Sequence, residues 1–205
     1  MLSGEFRSRE GLMKRFGLMG LATLLVVLGT GVARCQQTTG AASAQTDMGP
    51  VANPVTTTVK TQLGRFSKIM VAAAEAMPAE KYNFKPTPEM NAFGHLVMHI
   101  AQSNNFLCAK ISGMTAPDAK LADTDPKDKL VAGLRASFDF CATALEKVDD
   151  SKLGEAMTLF GNRPASRAAA LIVLSDDWYD HYGAEAVYLR LNGILPPTAQ
   201  PAKKD

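Results

Sequence analysis

Histidine, cysteine and tryptophan are scarce: the 205-residue chain has three, three and one of them. A basic stripe with interleaved aromatics is missing, so nucleic acid is not an expected partner. No internal repeat recurs along the chain, which excludes a solenoid or array. No stretch alternates apolar and polar residues long enough to read as a strand. The small net charge of +2 has a local origin. Residues 1–44 hold Arg7, Arg9, Lys14, Arg15 and Arg34 against Glu5 and Glu10, and the remainder is close to neutral.

Those first 44 residues read as an export signal and not as part of the fold. Lys14 and Arg15 precede an apolar run from Phe16 to Val32, with small residues after it, the order of a secretory signal. Met13 begins this pattern more naturally than Met1. Ala42-Ser43-Ala44 fits an A-x-A cleavage site, with Gly31-Val32-Ala33 as the second choice. Arg34, directly before Cys35, disfavours lipoprotein processing. If uncleaved, the run is near the lower length limit for a membrane span and would serve as an anchor. An exported protein, periplasmic or extracellular, is therefore expected. Residues 45–53 read as a linker, 54–197 as one domain of ordinary size and 198–205 as a polar tail.

Within the domain four helical patterns stand out. Val55, Val59, Leu63, Phe66, Ile69, Met70 and Ala73 recur at three- and four-residue steps, and Pro78 ends the run,. Tyr82 and Phe84, in the proline-containing stretch that follows, are expected to tuck into the fold. A second pattern runs from about Asn91 to Ser112 and stops at Gly113. Asp125-Pro126 offers an N-cap and a first helical residue for a third, through Leu130, Leu134, Phe138, Cys141 and Leu145. Met157 to Gly161 reads as a short apolar connection across the bundle end. The fourth pattern begins near Pro164 or Ala165 and runs through Leu171, Leu174, Trp178 and Leu189 to Gly193. Four helices joined by loops predict an all-α, four-helix bundle.

All three histidines lie on two of these helices. His95 and His99 are four residues apart on the second, and Asp177 and His181 are four apart on the fourth. That spacing puts each pair on one helix face, one turn apart, as in helical metal sites. At ~100° per residue His99 projects to the flank of the apolar face and His95 further toward solvent. Asp177 and His181 share one flank of the fourth helix. Glu185 projects close to the apolar face, where a carboxylate needs a partner. His99, Asp177 and His181 together would offer three ligands and an open position, the pattern of a catalytic centre.

Two stretches resemble a known family. One is Tyr82-Asn83-Phe84-Lys85-Pro86-Thr87-Pro88-Glu89, leading into Phe93-Gly94-His95-Leu96-Val97-Met98-His99. The other is His181-Tyr182-Gly183, followed by Val187-Tyr188-Leu189-Arg190-Leu191-Asn192-Gly193-Ile194-Leu195-Pro196-Pro197. Together they resemble the DinB/YfiT-like superfamily over roughly residues 54–197. The resemblance implies a divalent metal held by three histidines, one on the second helix and an H-x-x-x-H pair on a later one. His99 and His181 match two of them, while Asp177 stands where the family has the third. Aspartate suits zinc, nickel or manganese and gives the set harder character. His95, one turn from His99, is an extra ligand candidate.

The superfamily includes thiol transferases, a maleylpyruvate isomerase that uses a thiol, and members without known activity. The resemblance thus implies metal-dependent transfer or hydrolysis on a small molecule, with Glu185 or Asp180 as general base or as a group orienting the ligands. The rival reading is a cell-envelope bundle that binds a small molecule or partner without turnover. Expected partners are a small molecule and a second copy of the chain, with the membrane met only through an uncleaved signal. Tyr188 is expected to border the pocket and Tyr182 to sit in the core. Cys108 and Cys141, on neighbouring helices, read equally as a disulfide or as two buried thiols.

Overall fold

The computed structural model describes residues 49–201. The segment read as an export signal, with Cys35, the first part of the expected linker and the last four residues lie outside the described residues. Four helices carry the fold: α1 (Pro54–Ala76), α2 (Phe93–Ser112), α3 (Lys127–Leu145) and α4 (Arg167–Leu191). A hairpin of β1 (Ala156–Leu159) and β2 (Arg163–Ser166) joins α3 to α4. Among the described residues no helix is long and apolar enough to cross a membrane.

Each helix follows from its apolar spacing and its ends. Pro54 opens α1, where a missing N–H costs nothing,. The next two backbone N–H groups are taken by a distant side chain. Asp150 accepts from Val55 N and Thr56 N, both at 2.9 Å, and from Thr56 Oγ1 at 2.8 Å. A carboxylate there also meets the positive end of the helix dipole. The stretch after Pro78 does tuck in, because Tyr82 is buried and its hydroxyl donates to Ala74 O at 2.7 Å. Carbonyls of the same stretch accept from the first N–H groups of α2, Phe93 N to Phe84 O and Gly94 N to Tyr82 O. Gly113 ends α2 with φ 75°, and Gly193 follows α4 with φ 74°, as left-handed C-terminal stops require.

Four features differ from the sequence reading. Residues 157–161 are not an apolar connection but the first strand and tip of the hairpin, pairing Ala156 with Ser166 and Leu159 with Arg163. Both strands are only four residues long, so the alternation of β1, with Ala156 and Thr158 outward and Met157 and Leu159 inward, is too short to stand out as a period, and β2 does not alternate. The readable signal is the tip, where Gly161 and Asn162 both take positive φ, 67° and 64°,. Helix α4 starts at Arg167, later than expected, because Pro164 and Ala165 belong to β2; Ser166 caps it, accepting from Ala169 N at 3.2 Å. Asp125 does not cap α3. Its carboxylate turns back to accept from Ala122 N at 2.8 Å and pairs with Lys129 at 2.8 Å, a local competition open to any aspartate beside a helix start. The expected polar tail is partly ordered: Pro197–Ala199 form a turn, and Thr198 N donates to the Tyr182 hydroxyl at 3.0 Å.

The helices close into a ring in which α2 touches α3 and α4, and α1 touches the same two. Trp178, Phe66, Phe93, Met70, Ile100 and Leu171 fill the centre. One polar hub crosses it. Asn104 on α2 accepts from Trp178 Nε1 of α4 at 2.7 Å and donates to Ser137 Oγ of α3 at 3.0 Å. Beside it Cys108 and Cys141 form a disulfide joining α2 to α3, with both residues fully buried.

Candidate metal centre

Because α2 and α4 are ring neighbours, the flank of each that carries the chemistry faces the other. His99, Asp177 and His181 each place one ligand atom, a ring nitrogen or a carboxylate oxygen, within 4.8 Å of the others. No other set of three metal-ligating side chains of this kind occurs among the described residues. The His99 and His181 rings meet edge to face with centroids 4.9 Å apart. Asp177 Oδ1 lies 3.2 Å from His181 Nε2. Its other oxygen, Asp177 Oδ2, is buried and has no hydrogen-bond partner. A buried carboxylate oxygen without a partner is costly, and a bound cation would satisfy it. Two imidazoles and a carboxylate suit a divalent ion of borderline to hard character. The residues present therefore fit the metal that the sequence implies.

The charges around the set are uneven. Partial burial, with the neighbouring His181 charge, lowers the His99 pKa below the ordinary imidazole value, which favours the neutral form that ligates. Burial also acts to lower His181. The hydrogen bond and charge of Asp177, helped by Asp180, outweigh it and raise the His181 pKa overall. Asp180 itself is almost fully exposed, with Oδ2 3.8 Å from His181 Nδ1. It faces the ring nitrogen opposite to the one near Asp177, at a distance that gives charge attraction but no hydrogen bond,.

His95 reverses its expected exposure. It is half-buried while His99 is the exposed one. A helical projection registers only the bundle core and not a loop laid beside it. Here the loop before α3 brings Asp123 Oδ2 to 3.4 Å from His95 Nδ1. The loop comes that close because residue 94 is glycine; a Cβ there would lie 2.8 Å from Asp123 O. The His95 and His99 rings stack with centroids 6.3 Å apart, but His95 does not join the three-ligand set.

A cavity of about 390 Å³ opens onto His95, His99 and His181. Glu89, Met90, Leu96, Ala184 and Tyr188 complete most of its wall. Tyr188 borders it as expected, and its hydroxyl donates to Asn91 O at 2.7 Å, tying the lead-in of α2 to α4. Glu89 and Asp123 escaped sequence reasoning, since both lie in irregular segments that no periodicity marks. A groove of similar volume between α1 and α3, lined by Lys68, Glu75, Arg135 and Asp139, has no histidine.

Glu185 is not brought into this cavity. It is fully buried, and neither carboxylate oxygen has a hydrogen-bond partner. A base must reach the proton it takes, and Glu185 does not line the site. Burial pushes its pKa well above the ordinary 4.5, so the folded protein holds it protonated. The stability consequence has a definite sign. Below about pH 4.5 both folded and unfolded states carry the proton and burial incurs no ionisation penalty. As pH rises above that, the unfolded chain ionises while the fold does not, and stability is lost. Glu185→Gln is therefore expected to melt at a higher temperature than the parent at pH 8, with the gap closing toward pH 4. Melting curves of both proteins at the two pH values check this.

Comparison with known proteins follows the same lines. Residues 62–184 match the family model of the DinB superfamily, more than half of the chain. Among curated proteins nothing matches. Similar solved structures include a DinB-like protein from Bacillus subtilis, 22% identical with a TM-score of 0.57, covering 70% of this chain and 98% of that one. A DinB-like protein from Bacillus cereus is 17% identical with a TM-score of 0.58, covering 68% and 93%. The mycothiol-dependent maleylpyruvate isomerase is 13% identical with a TM-score of 0.51, covering 65% of each chain. At such identities these structures establish the shared fold. With the family match over the bundle, they place the chain in the DinB superfamily.

Proposed function

We propose that this chain is an exported DinB-fold protein that binds one divalent metal through His99, Asp177 and His181 and uses it in transfer or hydrolysis on a small molecule. The observation that carries the reading is the convergence of three ligand atoms within 4.8 Å, with one carboxylate oxygen otherwise unpartnered, at the edge of a cavity large enough for a small substrate. A bound divalent ion would act as a Lewis acid toward whatever occupies its open position. Zinc, nickel and manganese all suit the donor set. The mycothiol-dependent isomerase shares the fold, but an exported location argues against cytosolic low-molecular-weight thiols as cosubstrates.

The chain's own residues then have distinct tasks. Asp180 lies near the far nitrogen of the His181 ring, placed to orient it if the two draw within hydrogen-bond distance. His95, paired with Asp123, stands in the cavity wall, where it can take or give a proton at its ring nitrogen. Met90, Leu96 and Tyr188 offer apolar contact, and Glu89 places a negative charge at the mouth. Glu185, buried and absent from the cavity wall, is assigned no proton-transfer task. Export is supported by the signal-like N-terminus and by a buried disulfide, a bond that persists in oxidising compartments,.

Thermal melting of the untagged protein with added zinc, nickel or manganese tests the site. A metal at about 100 times its Kd should stabilise the fold by about 2.7 kcal/mol. His99→Ala and His181→Ala should abolish that gain, while His95→Ala should keep it. No gain with any of the three ions would refute the proposal.

A further inference from the structure

Helix α4 uses one flank for the metal centre and one face for the core, and its outer face is unexplained. Ile172, Tyr179, Val187 and Leu191 are each about half exposed along it (55%, 49%, 50% and 56%), Tyr179 while its ring packs edge to face with Phe66 of α1. Gly183 sits among them, also exposed, with nothing within 4 Å of the place a Cβ would take. Glycine weakens a helix interior relative to alanine, yet no neighbour within the chain requires it there. Gly64 on α1 is equally open, but its one-turn neighbours Lys60, Ser67 and Lys68 form no apolar stripe.

The centre of the stripe is also symmetric about Gly183. At ~100° per residue, Ile172, Asp176, Tyr179, Val187 and Arg190 all project within about 40° of the Gly183 direction. Tyr179 and Val187 stand one turn to either side of it, and Asp176 and Arg190 two turns to either side. Asp176 and Arg190 are exposed, and neither has an ionic partner among the described residues.

We propose that this face binds a second copy of the chain, with the two α4 helices crossing antiparallel at Gly183. In a two-fold interface each residue meets the partner of its partner. Antiparallel pairing centred on Gly183 sets Asp176 of each copy opposite Arg190 of the other and Tyr179 opposite Val187. Gly183 meets itself, and the missing Cβ lets the backbones approach. The same pairing carries Leu191 and the exposed Leu195 toward the other copy's groove between α1 and α4, where Val55 and Ile172 line a space of about 330 Å³. The proposal does not depend on the metal centre, which occupies another flank of the helix.

Analytical ultracentrifugation of the full chain tests it by charge reversal. The parent should be a dimer. Asp176→Arg and Arg190→Asp should each raise the dimer Kd by about tenfold or more, because each sets like charges face to face. The double reversal should recover most of the parent affinity, which also shows that the single variants fold. Gly183→Cys should form an intermolecular disulfide on mild oxidation, since only a residue on the axis meets its own copy. A parent that stays monomeric, or a dimer indifferent to both reversals, overturns the proposal. So does a monomer whose Gly183→Cys thiol resists alkylation, which would show the face covered by residues 1–48 of the same chain.

Discussion

In the presence of a reductant, the protein should melt about 10 °C lower than without it. The Cys108–Cys141 bond closes a loop of 33 residues between α2 and α3. Constraining a loop of that length in the unfolded chain is worth about 3–4 kcal/mol in the chain-entropy account. The native state gives little of this back, because both sulfurs lie in the core and reduced thiols pack as small apolar groups. The Cα atoms are 5.2 Å apart, within the range a disulfide spans,. A Cys108→Ala/Cys141→Ala double variant should melt close to the reduced parent. Thiol titration of the denatured, unreduced protein should find neither Cys108 nor Cys141 free, and only Cys35 where residues 1–44 are still attached. Reaction of Cys108 and Cys141, with no shift on reduction, would show that the bond does not form.

Replacing Asn104 by leucine should cost about 2–3 kcal/mol, a loss that a similar-sized apolar residue would not produce at an ordinary core position. Asn104 is fully buried and joins three helices by side-chain hydrogen bonds. Without it the Trp178 Nε1 proton has no acceptor in a dry interior, where an unmet donor carries its whole desolvation penalty. Ser137 keeps its bond to Leu134 O, so the penalty falls mainly on tryptophan. Trp178→Phe in the same background removes the stranded donor and should recover part of the loss. The double-mutant cycle measures that coupling directly. Trp178 adjoins Asp177 in sequence, so the same bond helps set which flank of α4 faces α2.

The four helices were legible because their apolar residues repeat at three and four and because Pro78, Gly113 and Gly193 stop them. The cluster of His99, Asp177 and His181 was legible for the same reason: a four-residue step and a flank position are properties of a helix alone. What escaped the sequence depends on segments without a period. The hairpin strands are four residues each, too short for the alternation of β1 to mark a strand. The cap on α1 comes from Asp150, far along the chain. Asp123 reaches His95 only because a loop lies against Gly94, and this reverses the exposure expected for the two α2 histidines. Glu185 was read correctly as facing inward, but facing inward took it away from the cavity and not toward it.

The central claim is that His99, Asp177 and His181 hold one divalent ion. Elemental analysis of the untagged protein, loaded with zinc and then dialysed, tests it most directly. One metal ion per chain is expected for the parent and for His95→Ala, and essentially none for His99→Ala or His181→Ala. Absence of metal from the parent, or full occupancy in His99→Ala/His181→Ala, would contradict the account.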